Sequence, residues 1–247
     1  MYLSRSNHIL RQIYSDIREA IAGTDKDFTE INIFRAVFIL SVPMILEMLM
    51  ESFFSIADIY FVSRLGPDAM AAIGLTESLM TIVYAIGMGL ATGTTAIISR
   101  RIGEKKRELA AVSAVQAIIT GLLVSLIIAV PSAIFAGDIL RLMGAGEAVV
   151  REGKVYAAII LGGNGIIMLL FINNAIFRSA GDAAISMRVL FLANILNIIL
   201  DPCLIFGLGP FPELGIKGAA IATTIGRGLA VIYQFYLLFR GNTRIII

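Results

Sequence analysis

Two aspartates, Asp58 and Asp201, sit inside stretches of sequence apolar enough to cross a lipid bilayer. A carboxylate at membrane depth costs roughly 2.5–3.5 kcal/mol on insertion scales, and the usual reason to retain one is an ion or proton path. Asp201 has polar company. Asn194 and Asn197 precede it at helical spacing, so the three form one row on a helix. Carboxamide and carboxylate oxygens suit a hard cation such as sodium. A protonated aspartate would donate to the same amide oxygens. Both chemistries stay open for Asp201. Pro202 follows directly, lacks an N–H, and is expected to loosen the helix there.

Asp58 shares a helix face with Glu47 and Glu51, because the spacings are four and seven residues. Such a face cannot point at lipid. Glu47 and Glu51 are therefore cavity-lining candidates together with Asn194, or else they hydrogen-bond to neighbouring helices. Pro43, one turn before Glu47, permits the helix to bend. Asn173, Asn174 and Thr223 add uncharged polar groups, whose ordinary role is interhelical hydrogen bonding. Glu77 and Arg227 are further intramembrane charges. Arg227 shares a face with Thr223, and pairing with an acid is its ordinary expectation.

The elements that must position these residues follow from composition. Of 247 residues, 58% are hydrophobic and 15% charged. A soluble domain carries about 25% charged residues, so this is an all-α integral membrane chain. The single cysteine, Cys203, excludes a disulfide framework. The one histidine, His8, lies far from any apolar segment, which argues against metal or Ser-His-Asp chemistry and against an intramembrane enzyme. No cofactor and no nucleic-acid partner is expected. With no Trp, an interfacial aromatic belt must use Tyr and Phe.

Six segments are long and apolar enough to span, at roughly 36–62, 70–98, 110–135, 152–177, 185–207 and 216–239. Gly/Pro-rich and charged stretches separate them. Gly87, Gly89 and Gly93 suggest a close-packing face on the second span, as does Gly218-Ala219-Ala220 on the sixth. Gly162-Gly163-Asn164-Gly165 suggests a flexible point in the fourth. The Lys/Arg count in the arm, tail and connections and at the span ends beside them is fourteen on the side of both termini against five on the other. That asymmetry predicts a multi-pass cell-membrane protein with both termini in the cytoplasm.

Three regions result: a cytoplasmic arm over residues 1–35, a six-helix membrane lobe over 36–241 and a tail over 242–247. The arm holds five cations and five acids without a central apolar run, so the first span is expected to direct insertion. Within it Ile9, Ile13, Ile17 and Ile21 recur every four residues, with Arg11, Gln12, Ser15, Asp16 and Arg18 opposite. This predicts an amphipathic helix, lying at the membrane interface or packed on the loops.

Several motifs are shared in order with one family. They are Val42-Pro43-Met44-Ile45-Leu46-Glu47, Ala57-Asp58 through Leu65-Gly66, Asp68 to Gly74, Ile98-Ser99-Arg100-Arg101-Ile102-Gly103-Glu104, Phe177-Arg178-Ser179-Ala180-Gly181-Asp182, Asn197 to Pro202, and Gly215 to Thr223. Over about residues 36–225 the chain resembles the N-terminal six-helix lobe of the multidrug and toxic compound extrusion (MATE) family.

The resemblance implies an antiporter that exports amphipathic, often cationic drugs, driven by inward flow of sodium or protons. It implies a cation or proton site of Asp58, Asn174, Asn197, Asp201 and Thr223. It gives Arg227 no role in that site. Family members have two six-helix lobes with substrate moving between them, whereas this chain carries one. The expectation is a truncated or half-length product rather than a functional homodimer, with a second lobe, from a missing half or another copy, as partner. The alternatives are a lipid-linked oligosaccharide flippase of the same superfamily and an inactive lobe. A flippase would line its cleft with several cations, while the intramembrane charges here are mainly acidic.

Overall fold

The structure is a computed structural model that describes residues 14–23 and 32–240. All its elements are helical. Residues 14–22 form α1. The first span, α2, runs Ile33–Val62, and its first turn is capped by Asn32, whose side chain accepts from the Phe34 amide at 2.9 Å. A short 3-10 turn, Ser63–Leu65, leads through Gly66 to α3, Pro67–Gly103. Gly66 has φ 101°, a left-handed backbone that glycine adopts freely, and Pro67 opens α3 with its φ already helical.

The basic stretch after α3 is a tight turn. Glu104 gathers it by accepting from Arg100 at 2.9 Å and Lys106 at 3.0 Å. The third span is α4, Arg107–Ile134. A short helix with no marker in the sequence follows, α5, Ala136–Leu142.

The fourth span is two helices, α6 (Glu147–Gly162) and α7 (Asn164–Ser179). The break falls at Gly163, inside the expected flexible stretch. There Asn164 Nδ2 donates to the Leu161 carbonyl at 2.7 Å and ties the two ends together. The fifth and sixth spans are α8, Ala183–Phe206, and α9, Ile216–Arg240. Both α2 and α8 stay continuous through Pro43 and Pro202. Each proline only removes the hydrogen bond that would have reached the carbonyl four residues back, at Ile39 and Ile198.

The interior is built from stripes of small residues and the exterior from large apolar ones. On α4 the buried row is Ala110, Ala114, Ile118, Gly121 and Ser125, while Leu123, Leu126, Ile127 and Ile134 face outward. Six helices are long and apolar enough to cross a membrane. Without a hydrophobic drive between helices in lipid, close approach of small residues supplies packing. The tightest approach to a neighbouring backbone is at Gly218, where an added Cβ would fall 2.3 Å from the Leu204 carbonyl oxygen. Gly87 packs similarly on Phe171, but Gly89 and Gly93 meet nothing and do not extend the expected glycine face.

α8 lies between α2 and α9, while α3 packs on α4, α6 and α7. The helices alternate in direction, so the lobe has an arm end and a far end. At the arm end α1 is held by two arginines, Arg35 and Arg188. Arg35 donates to Asp16 at 2.6 Å and 3.1 Å, and Arg188 of α8 donates to the carbonyls of Ile21 and Ala22.

Asp16 is therefore buried, although the sequence put it on the solvated face; the Arg35 contact overrides the helical pattern. Ile17 is half-buried and Ile21 exposed. Ile9, Leu10, Arg11, Gln12 and Ile13 of that pattern, and the tail over 242–247, lie outside the described residues.

Candidate functional site

Asp201 is in the last third of α8, and its side chain is fully buried. Neither of its carboxylate oxygens has a hydrogen-bond partner. Asp58 on α2 is half-buried with an equally unpartnered Oδ1, and the two carboxylates lie close enough for their charges to interact. One turn back from Asp201, Asn197 Nδ2 donates to Thr223 Oγ1 of α9 at 3.2 Å. That leaves Asn197 Oδ1 buried and free. Asp58, Asn197, Asp201 and Thr223 thus converge from three helices toward the far end.

One apolar cluster fixes this convergence. Val62, Ile205, Ala219 and Ala220 belong to it, each about one turn from Asp58, Asp201 or Thr223. Tyr156 of α6 joins the cluster and lies within reach of the charge on Asp58. The sequence reading passed over Tyr156. Its signal was a phenol in mid-span, a group that needs a polar partner when buried.

An unpaired buried polar atom costs about 1–3 kcal/mol. Here at least four oxygens bear that cost together. The group therefore offers carboxylate, amide and hydroxyl oxygens to one occupant, a hard monovalent cation or protons. Among the described residues no group of three or more His, Cys, Asp or Glu forms a metal cluster.

Toward the arm end the charges are matched. Glu51 Oε1 accepts from Arg227 at 3.0 Å and Glu51 Oε2 from Asn194 at 3.1 Å. Arg227 also lies over the Phe54 ring at 5.7 Å, with Tyr84 and the Glu77 carboxylate near enough to act on its charge. One turn earlier Glu47 meets Arg178 of α7 at 3.5 Å. So Glu47, Glu51 and Asn194 bind neighbouring helices. Arg227 pairs with Glu51, and Asp201 forms no ion pair among the described residues.

Asn174 is not brought to the far-end group. Its Oδ1 accepts from Gln234 Nε2 at 2.7 Å and its carbonyl from Ser186 Oγ at 3.5 Å. Ser186 and Asp201 are fifteen residues apart on α8. At 1.5 Å per residue that separates the two levels by about 22 Å. The expected five-residue site is therefore a four-residue group plus a distant amide.

A sequence profile of the MatE family matches residues 43–203. The chain is 34% identical over 204 residues to a FAD transporter of Shewanella oneidensis, covering 83% of this chain and 45% of that protein. It is 31% identical over 205 residues to the probable multidrug resistance protein NorM of Thermotoga maritima, covering 81% and 43%. The chain spans about half the length of the curated relatives it matches. A solved MOP-superfamily transporter from Pyrococcus furiosus superposes with a TM-score of 0.80 at 33% identity, over 93% of this chain and 48% of that one. A crystal structure of MATE in the bent conformation gives 0.80 at 32%, over 94% and 49%.

Proposed function

Because this chain belongs to the MatE family, we propose that it supplies the ion-coupling lobe of a sodium- or proton-driven exporter of amphipathic, often cationic compounds. The observation that carries this reading is the convergence of unpartnered oxygens from Asp58, Asn197 and Asp201 between α2 and α8, two of them carboxylates. A cation or protons bound there would satisfy oxygens that nothing else satisfies. Thr223 orients Asn197, and Tyr156 closes the site on the side of α6. Binding draws α2 toward α8, and the missing hydrogen bond at Pro43 lets the arm-end half of α2 bend as it does so.

A second six-helix lobe forms the other wall of the substrate path, in keeping with relatives about twice as long. Both termini face the cytoplasm, on the side richer in Lys and Arg.

The test is Asp201→Asn in a two-lobe transporter carrying this lobe. Coupled drug efflux should be abolished while the protein still reaches the membrane; unchanged drug resistance overturns the reading. Efflux with and without a sodium gradient at fixed pH then separates sodium from proton coupling.

A further inference from the structure

A cavity of about 500 Å³ opens between α2, α3 and α7 at the arm end, remote from Asp201. Its walls include Leu40 and Met44 of α2, Met88 of α3 and Phe171 of α7. Two methionines and a phenylalanine make a surface that adapts to a flexible chain. Thr95 and Ser99 line the same cavity with hydroxyls. The single charged side chain in its lining is Arg178.

Arg178 is held loosely. Its contact to Glu47 is one 3.5 Å approach, and the other Glu47 oxygen is buried with no partner. A guanidinium offers five N–H donors in a fork that fits carboxylate or phosphate. Arg227 shows what a satisfied arginine looks like in this lobe: a carboxylate at 3.0 Å and an aromatic face. Arg178 has one long contact and an apolar cavity in front of it.

We propose that this cavity binds an amphipathic anion, with its phosphate or carboxylate on Arg178 and its chain along Met44, Met88 and Phe171. Glu47 competes with that headgroup for Arg178, so it sets the affinity. A membrane lipid and a single-chain acid share this chemistry. The proposal does not rest on ion coupling at Asp201, and its test reads binding rather than transport.

The experiment is native mass spectrometry of the full chain in a neutral maltoside detergent. One arm offers equal phosphatidylglycerol and phosphatidylcholine, the other dodecyl phosphate. The wild type should retain one anionic molecule in preference to phosphatidylcholine. Arg178→Gln should weaken that binding about tenfold, as expected for loss of a charge-assisted headgroup contact. Glu47→Gln should strengthen it about threefold, because the competitor is gone while the fork remains. Glu108→Gln, at the first turn of α4, removes the same charge elsewhere and should change nothing.

Retention of phosphatidylglycerol supports a lipid occupant, and retention of dodecyl phosphate alone supports a single-chain acid. Equal binding by wild type, Arg178→Gln and Glu47→Gln overturns the site. If Arg178→Gln fails to fold, the absence of any gain in Glu47→Gln overturns it alone.

Discussion

The two halves of the polar face of α2 are made of the same kind of residue and come to opposite ends. Toward the arm, Glu47 and Glu51 each meet an arginine from another helix, Arg178 and Arg227. Toward the far end, Asp58 and Asp201 form no ion pair among the described residues; Arg227 acts on Asp58 only at a distance, alongside the carboxylate charges of Glu77 and Asp201. The first pair of acids fastens α2 to the bundle. The second pair leaves buried oxygens without a partner. An acid in a membrane span therefore says little about its role until its partner is known.

The largest effect that tests this contrast is on the matched side. Arg227→Leu leaves Glu51 without its cation and should lower stability by about 2 kcal/mol in detergent unfolding. That is less than the roughly 3–5 kcal/mol for a fully buried pair, because the Glu51 side chain is 43% exposed.

The unmatched side should respond with the opposite sign. Asp201→Asn replaces a carboxyl that nothing satisfies and should raise the unfolding free energy by about 1 kcal/mol in sodium-free buffer. A loss of stability there would place Asp201 with the structural acids and erase the distinction.

The smallest effect is outside the spans. Hydrogen bonds from Lys106, then Arg100, hold the exposed Glu104 carboxyl below its ordinary value of 4.5. Its contribution is thus present at neutral pH and fades as pH falls through and below that value. Wild type and Glu104→Gln should differ slightly at pH 7 and converge near pH 3 in thermal unfolding. A gap that widened with acid would reverse the sign.

The six spans were legible because a bilayer demands length and apolarity, and both can be counted along a chain. The row Asn194, Asn197 and Asp201 was legible because helical spacing fixes a face. What spacing does not fix is the level of one helix against another. Asn174 came into the site by resemblance and lies about 22 Å from it along the axis. The partners of Glu47 and Glu51 were hidden for the same reason, since Arg178 and Arg227 lie more than a hundred residues further along. Asp16 misled because one ion pair outweighed the pattern of its own helix. The fourth-span break was readable from its glycines, whereas α5 had no marker beyond an ordinary connection.

The placement of α2 also bears on how the chain is made. It leaves the ribosome ahead of the other five spans described, yet it packs chiefly on α8, and its acids await arginines on α7 and α9. The arm waits as well, because Arg188 is synthesised long after the Ile21 and Ala22 carbonyls that it holds. Until α7 and α9 are made, Glu47 and Glu51 have neither of the arginines that they meet in the finished lobe. The opening helix is thus held in the bundle by partners that follow it by more than a hundred residues.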